Sequence, residues 1–431
     1  MLRMLKAVFF TILSLSVFGP VHAEEQPYPI EYWAVRDAVR SVVISPNGEK
    51  LALMKTESRD GNPIIEIYNI SDLTEKPTRL AADPMEFTSV RWVSDDYLVM
   101  GARQKVRNKI QGYNQGVYEF RLAGYSISSE SFSKLGENFS IVNVLPDEPN
   151  IVLVEETRAI ETLQDDDPFA AFRPRAYYRL NLKTGRKSLV LKGSESFASA
   201  VFDRSGNPRF TQAFDGPKNE LVYYYRKPGD RSWKAFKRIP EEEFFTNTFS
   251  VALFDPDDPS IAYVLANNGH DKVGLWRFNF DTLEFVDLIY RRDDVDILNI
   301  VTNSNDWGEP QRLAGVVYPG LKYEREYFDE AERVLHAQLA ASVPNAYALS
   351  VSSMSRDGKR FTFTNIGPKD PGSYWLVTEL GLQKLGSRNP LLNSENLATI
   401  ETFWYEARDG RKIPSHITIP AKGEAPYPLV V

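Results

Sequence analysis

The chain has 431 residues, of which 42% are hydrophobic and 25% are charged, and it contains no cysteine. Such a composition is that of a globular protein and excludes a fibrous or disordered chain. The lack of cysteine excludes disulfides, a catalytic thiol and thiolate metal ligands. A formal net charge of −7 argues against nucleic acid and anionic membranes as partners.

The first 23 residues have the three parts of a secretory signal peptide. Arg3 and Lys6 precede an apolar run over residues 7–19, and cleavage is predicted between Ala23 and Glu24. A transmembrane anchor is the alternative, but this run is too short to span a bilayer core of about 30 Å. The sequence therefore predicts an exported bacterial protein, periplasmic or secreted, with no membrane attachment after cleavage.

Residues 24–40 are predicted to form an N-terminal segment of their own. A polar leader comes first, and residues 30–39 are then spaced for one amphipathic helix. Ile30, Trp33, Ala34 and Ala38 fall near one face of that helix.

A repeat of turn clusters follows this segment and is the strongest pattern in the sequence. The clusters start 49, 52, 57, 52, 49 and 51 residues apart. Strand-like runs come after them, for example at residues 51–54, 97–100, 151–154, 261–265 and 360–364. The clusters are Ser45-Pro46-Asn47-Gly48, Ser94-Asp95-Asp96, Pro146-Asp147-Glu148-Pro149, Asp203-Arg204-Ser205-Gly206, Asp255-Pro256-Asp257-Asp258, Ser304-Asn305-Asp306 and Ser355-Arg356-Asp357-Gly358.

A second, aromatic-rich run lies later in most units. Two marked strands in about 50 residues leave room for two more, and four strands make a propeller blade. An array of β-sandwiches is the alternative, but a sandwich of about 100 residues would not repeat its turn at half that period. The sequence therefore predicts an all-β fold, a seven-bladed β-propeller over residues 41–390. The second runs are residues 64–70, 117–122, 177–182, 221–226, 275–280 and 374–378.

The sixth unit departs from the pattern because residues 328–342 are spaced for a helix. Asp329 is a candidate N-cap, and Glu332 lies three residues further on. We expect a helix near residues 329–341, on the outside of the ring or on one of its faces. Its predicted apolar face consists of Phe328, Ala331, Val334, Leu335 and Leu339.

The last stretch, residues 401–431, contains a predicted hairpin. Residues 403–407 form a short aromatic strand, Asp409-Gly410 is a hairpin turn signal, and Ile413, Ile417 and Ile419 mark the return strand. Pro428-Leu429-Val430-Val431 is predicted to begin a third strand.

The hairpin carries a resemblance to a known family. Its motifs are Tyr-x-Ala-Arg-Asp-Gly-x-x-Ile-Pro from Tyr405, Thr418-Ile419-Pro420 and the terminal Pro-Leu-Val-Val. Together with Asp357-Gly358-Lys359 and Asp370-Pro371-Gly372-Ser373-Tyr374, they resemble the prolyl oligopeptidase family of serine peptidases, in its dipeptidyl- and acylaminoacyl-peptidase-like branch. The resemblance implies that residues 391–431 are a linker and the first strands of an α/β-hydrolase domain that is otherwise absent.

The same resemblance implies the function. The chain would be the non-catalytic, substrate-gating propeller of an exported peptidase that hydrolyses short peptides by acyl transfer to a serine. Its Ser, Asp and His would lie beyond Val431, because no Gly-x-Ser-x-Gly elbow occurs: Gly124 and Ser126 are followed by Ser128. The alternative is a freestanding periplasmic propeller that binds a protein or peptide. The exposed C-terminal strands could also cause self-association.

Acidic pairs and runs were weighed as binding sites. Some dipeptidyl peptidases of the family use two propeller carboxylates to bind a substrate ammonium, and Glu155-Glu156 is the candidate pair. Residues 241–243 (all Glu) and 165–167 (all Asp) could bind Ca²⁺ but lack the spacing of a known loop. A solvated position is the favoured interpretation for all three groups.

The histidines do not indicate a site. His270, His336 and His416 are scattered, and His336 is predicted to lie on the polar side of the helix. The sequence therefore assigns no catalytic residue, no metal ligand and no cofactor, and leaves any substrate-binding residue unknown.

Overall fold

The structure is a computed structural model that describes residues 28–107, 117–156, 175–193, 197, 199–424, 426 and 427. It divides into the units Met1–Val35 and Arg36–Val431. In the first unit, helix α1 (Ile30–Trp33) has a single turn, and Tyr28 packs its ring against Tyr32 and Trp33. The prediction of one helix over residues 30–39 is wrong, because strand pairing already begins at Val39.

The second unit is a seven-bladed β-propeller, as predicted. Over the described residues, each blade is a meander of antiparallel strands that are consecutive in sequence. Blade 1 is β1–β4, blade 2 is β5–β8, blade 3 is β9–β12, blade 4 is β13–β16, blade 5 is β17–β20, blade 6 is β21–β23 and blade 7 is β24–β27. The strands of blades 1–3 are β1 (Val39–Ile44), β2 (Lys50–Lys55), β3 (Ile64–Asn69), β4 (Thr78–Leu80), β5 (Glu86–Trp92), β6 (Tyr97–Arg107), β7 (Val117–Ser126), β8 (Ser131–Glu137), β9 (Phe139–Val144), β10 (Ile151–Glu156), β11 (Ala176–Asn181) and β12 (Lys187–Lys192).

The remaining blades complete the ring. Their strands are β13 (Ala200–Phe202), β14 (Pro208–Asp215), β15 (Glu220–Tyr225), β16 (Lys234–Pro240), β17 (Phe249–Phe254), β18 (Ile261–Ala266), β19 (Gly274–Asn279), β20 (Glu284–Tyr290), β21 (Asn299–Thr302), β22 (Leu313–Pro319), β23 (Tyr323–Tyr327), β24 (Ala348–Met354), β25 (Phe361–Gly367), β26 (Asp370–Thr378) and β27 (Gly381–Ser387). Strand β1 contacts both β5 and β24, so the first strands of neighbouring blades lie side by side around the axis.

The hydrophobic core lies between the blades. One cluster joins blades 4 and 5 through aromatic rings such as Phe210 of blade 4 and Phe249 of blade 5, whose centroids are 5.9 Å apart. Other clusters join blades 1 and 2, blades 2 and 3, and blades 1 and 7. Because both faces of a blade are covered, second strands such as β2 are buried at four consecutive positions, from Leu51 to Met54.

Side chains, rather than a shared strand, join blade 7 to blade 1. Thr362 donates its hydroxyl hydrogen to the carbonyl oxygen of Val42 at 3.1 Å, and the Tyr374 hydroxyl donates to Arg40 at 2.8 Å. The amide of Ile44 donates to the hydroxyl of Ser353 at 2.8 Å. The junction between blades 7 and 1, called the seam below, is therefore a set of hydrogen bonds within an apolar cluster.

Blade 6 has three strands and then helix α2 (Glu330–Ser342), so the expectation of four strands in each blade is wrong for this blade. Asp329 is the N-cap, as predicted, and accepts a hydrogen bond from the Glu332 amide at 3.0 Å. The predicted apolar face is correct for Leu335 and Leu339 but wrong for Phe328, Ala331 and Val334. Val334 and Phe328 are exposed, whereas Glu332 and Leu339 are buried. The helix packs on the core of blade 7. The helix face that contains residues 332, 335 and 339 therefore points inward.

The predicted C-terminal hairpin is present. It consists of β28 (Thr399–Glu406) and β29 (Lys412–Ile419), and the turn contains Gly410 at φ +80°. Every residue of β28 is exposed, because the two strands pair only with each other in the part of the chain that the structure describes. The predicted third strand, like the signal cleavage position, lies outside the described residues. No helix within those residues has the length and apolar character needed to cross a bilayer.

Candidate functional site

The propeller has two faces, because strand direction alternates within each blade. The turn face carries the loops that follow the first strand of each blade. The connection face carries the loops between second and third strands and the connections between blades. Blade 1 begins and blade 7 ends on the connection face, where the Ala38 amide donates to the Arg388 carbonyl at 2.7 Å. The C-terminal hairpin therefore follows from that face, which makes it the candidate functional face.

A charged cluster lies at the connection-face end of blade 2. Glu86 begins β5 and accepts hydrogen bonds from Arg36 at 2.9 Å and from Arg103 at 2.5 Å. Burial opposes ionisation of Glu86, but the hydrogen bonds and charges of Arg103 and Arg36 outweigh it and lower the pKa of Glu86. Arg103 also lies 4.8 Å from the ring centroid of Tyr118. With two guanidinium groups against one carboxylate, the cluster carries a surplus positive charge that would attract a ligand carboxylate.

The Glu155-Glu156 pair ends β10 on the same face, but its two carboxylates do not converge. Adjacent residues of a strand point to opposite faces. Glu155 therefore pairs with Arg175 at 2.8 Å, whereas Glu156 pairs with Lys187 at 2.7 Å. The interpretation of a solvated pair is wrong for Glu155, whose side chain is 14% exposed. Burial, and then the Glu155 charge, raise the pKa of Tyr177 to about 12.

The other acidic runs form no binding site in the described residues. Glu241–Glu243 is a single exposed 3₁₀ turn. The run of aspartates at residues 165–167 lies outside the described residues. Among the residues that are described, no group of three or more His, Asp or Glu side chains is arranged to hold a metal ion.

The histidines at positions 270, 336 and 416 lie in different elements of the fold. His270 stacks on Trp276 at 5.7 Å, and His416 is exposed in β29, opposite Thr402. His336 does not lie on a polar face as predicted, because it stacks on Tyr327 at 5.3 Å and is half-buried. Burial, and then the nearby Arg325 charge, lower the pKa of His336. The helical periodicity predicted that His336 faces solvent, because a periodic pattern carries no information about the contact with Tyr327.

A cavity of about 230 Å³ lies where blade 7 meets the segment that leads to the hairpin. The Lys384 ammonium lies 5.8 Å from the centroid of the Trp375 ring in its wall. The sequence did not reveal this cavity, because its two sides come from separate segments. Its lining residues are Pro344, Asn345, Lys369, Asp370, Pro371, Trp375, Lys384, Ser387, Asn389, Leu392, Asn393 and Ser394.

The fold defines the class of protein, a seven-bladed β-propeller, and comparison with solved structures shows where similar propellers occur. A structure described in an analysis of two prolyl endopeptidases matches over 91% of this chain, with a TM-score of 0.55 and 12% sequence identity. Prolyl oligopeptidase B from Galerina marginata, bound to a 35-residue hydrolysis and macrocyclization substrate, matches over 90% with a TM-score of 0.56 and 13% identity. The apo form of that protein matches over 91% with a TM-score of 0.54.

The chain spans only 56–57% of the length of these solved proteins. No protein-family model matches the sequence, and neither does any curated protein. The likeness therefore establishes the propeller fold, in agreement with the resemblance noted in the hairpin motifs.

Proposed function

We propose that this chain is the propeller portion of an exported serine peptidase that acts on short peptides. Its role is to control which peptides reach the active site, and the catalytic Ser, Asp and His are supplied by an α/β-hydrolase domain. One observation carries the proposal: a propeller like those of prolyl oligopeptidases, matched over 90–91% of this chain, continues into the C-terminal hairpin.

Two features of the connection face support this role. Hairpin β28–β29 presents Phe403, Trp404 and Tyr405, each at least 45% exposed, and such a strand pair needs further partners to be stable. The cluster of Glu86 with Arg36 and Arg103 places charged hydrogen-bonding groups at the same end of the propeller. Charged rims of this kind orient polar ligands such as peptides.

The decisive experiment is to sequence the gene downstream of the codon for Val431. We expect the reading frame to continue into a His-Gly-Gly loop and a Gly-x-Ser-x-Gly elbow. A stop codon there would contradict the proposal and favour the freestanding propeller that binds a protein or peptide.

A biochemical experiment tests whether this chain is inactive without the hydrolase domain. Purified residues 24–431 should hydrolyse neither peptide nor ester substrates and should not react with a fluorophosphonate, because that reaction requires an activated serine. Stoichiometric labelling of any serine would overturn the proposal and place an active site within this chain.

Export is the second part of the proposal. Expression of the whole chain in a bacterium should yield a periplasmic or secreted protein whose N-terminus is Glu24, since the signal pattern ends at Ala23. Recovery of an uncleaved, cytoplasmic chain by N-terminal sequencing and fractionation would contradict it.

A further inference from the structure

The loop between β21 and β22 is unusually long for its position. It comprises residues 303–312, which is ten residues, whereas the equivalent turns of the other six blades have four to six. All of these turns lie on the turn face, opposite the hairpin. Because β21 is the first strand of its blade and lies next to the axis, ten residues are enough to reach across the centre of the ring.

Trp307 shows where this loop goes. Its side chain packs against the hydrophobic cluster of blades 1 and 2, which contains Phe87, Val90 and Trp92. Blade 6 is separated from blade 2 by two blades on one side and three on the other. Even the nearer part of this cluster, in blade 1, lies beyond blade 7, so the loop extends past its neighbouring blade to reach it.

Polar contacts hold the loop from other sides of the ring. Arg204 of blade 4 donates to the carbonyl oxygens of Asp306 at 3.5 Å and Glu309 at 3.4 Å, and it also binds Asp147 of blade 3 at 3.0 Å. On the opposite side, the Asn305 amide group donates to the carbonyl oxygen of Arg356 in blade 7 at 3.2 Å.

Both the middle and the ends of the loop fit closely. A Cβ at Gly308 would lie 2.4 Å from the Arg356 carbonyl oxygen, so only glycine allows the backbones to approach this closely. Ser304 is held by the buried carboxylate of Glu332 at 2.6 and 2.7 Å. Arg312 forms a bidentate pair with Asp257 of blade 5. The loop is thus attached to elements on every side of the channel.

We propose that residues 303–312 are a plug that closes the central channel at the turn face, with Trp307 and Arg204 as the residues that hold it there. The propeller is then a cup that opens only on the connection face. If the channel is closed in this way, peptides would have to enter from the side of the hairpin. This consequence rests on the proposed function. The closure itself does not, and it can be tested on this chain alone.

Because the chain contains no cysteine, a thiol introduced by substitution can be labelled selectively. Ser352 is an exposed residue at a bulge of β24, the first strand of blade 7. In Ser352→Cys, the labelling rate of the thiol with a small and with a bulky maleimide is measured. The double change Trp307→Ala with Arg204→Ala should raise the rate of the bulky reagent about tenfold, because it opens a short route from the turn face, where β24 ends two residues after Ser352, beside the longer route through the connection face. Arg238→Ala, which removes an exposed arginine of blade 4 that does not contact the loop, should leave the rate unchanged.

Two further measurements make the result decisive. Ser131→Cys, on the exposed outer strand β8, should be labelled quickly by both reagents in every background. Sizing and thermal unfolding confirm that the double variant is folded, and Trp307→Ala alone replaces it if it is not. If the bulky reagent labels Ser352→Cys equally fast with and without Trp307 and Arg204, the loop does not close the channel. Fluorophosphonate labelling would leave this conclusion untouched, so the two proposals fail separately.

Discussion

The carboxylate of Glu332 accepts two hydrogen bonds from Ser304, one from its backbone amide at 2.6 Å and one from its hydroxyl at 2.7 Å. Glu332 is 8% exposed and lies in the first turn of α2, whereas Ser304 is the second residue of the loop of residues 303–312. The helix that stands in place of a fourth strand in blade 6 therefore also fixes the base of that loop.

Glu332→Ala should lower the free energy of unfolding by about 2–3 kcal/mol, because two half-buried donors of Ser304 lose their charged acceptor. Urea denaturation at neutral pH measures the change. Glu330→Ala is the matched control: it removes an exposed carboxylate of the same helix that pairs with Arg333, and should change stability by less than about 0.5 kcal/mol. Equal losses in both variants would contradict a special role for Glu332.

A second prediction concerns acid stability in blade 1. Glu66 is 4% exposed and pairs with Lys55 at 2.8 Å and with the hydroxyl of Tyr68 at 2.6 Å. Burial opposes ionisation, but Lys55 and Tyr68 outweigh it and lower the pKa of Glu66 from its usual 4.5. Since the unfolded chain takes up this proton at higher pH than the folded chain, the stabilisation is present above about pH 4.5 and is lost as the pH falls through the lowered pKa.

Glu66→Gln should therefore destabilise the chain by about 2 kcal/mol at pH 7 and by progressively less below pH 4.5. Thermal unfolding of both proteins between pH 3 and pH 7 provides the test. Glu119→Gln, which removes an exposed partner of Arg121, is the control and should change little. If the stability lost in Glu66→Gln stays constant or grows in acid, the interaction of Glu66 with Lys55 does not depend on ionisation of Glu66.

The seam between blades 7 and 1 gives a third prediction. Thr362 is fully buried, and Thr362→Val keeps its shape while removing the hydrogen bond to Val42. We expect a loss of about 1–2 kcal/mol and faster hydrogen exchange in β1 and β24, the two strands of the seam. Thr184→Val, in an exposed turn of blade 3, serves as control. Unchanged exchange in β1 would mean that the seam does not depend on this bond.

The fourth prediction concerns the hairpin. Phe403, Trp404, Tyr405 and Ile417 are exposed, and an unpaired strand edge bearing such residues promotes association. We expect residues 24–431 to self-associate or to be cut by trypsin at Arg408, Arg411 or Lys412. A shorter chain that ends at Leu392 should be more soluble. Sizing both chains at equal concentration measures this, and a monomeric, trypsin-resistant longer chain would contradict it.

The propeller fold followed from local sequence chemistry. Turn clusters with Gly, Asn and Asp specify tight turns, and the runs between them favour extended strands, so the repeat could be counted without knowing any contact. Asp329 was identified as an N-cap for the same reason, because the residue that caps a helix binds an amide only three positions away. The hairpin around Gly410 is a further local feature.

The tertiary structure decided what neighbouring blades do to one another. Hydrophobic periodicity could not orient α2 correctly, because its inward face includes Glu332, whose partner Ser304 lies 28 residues away. It could not reveal that Glu155 is shielded from solvent beside Arg175, or that Glu156 pairs with Lys187, because both partners come from other segments. The position of Trp307 over the channel likewise depends on closure of the ring. Contacts of this kind arise only when distant segments meet, so no local pattern records them.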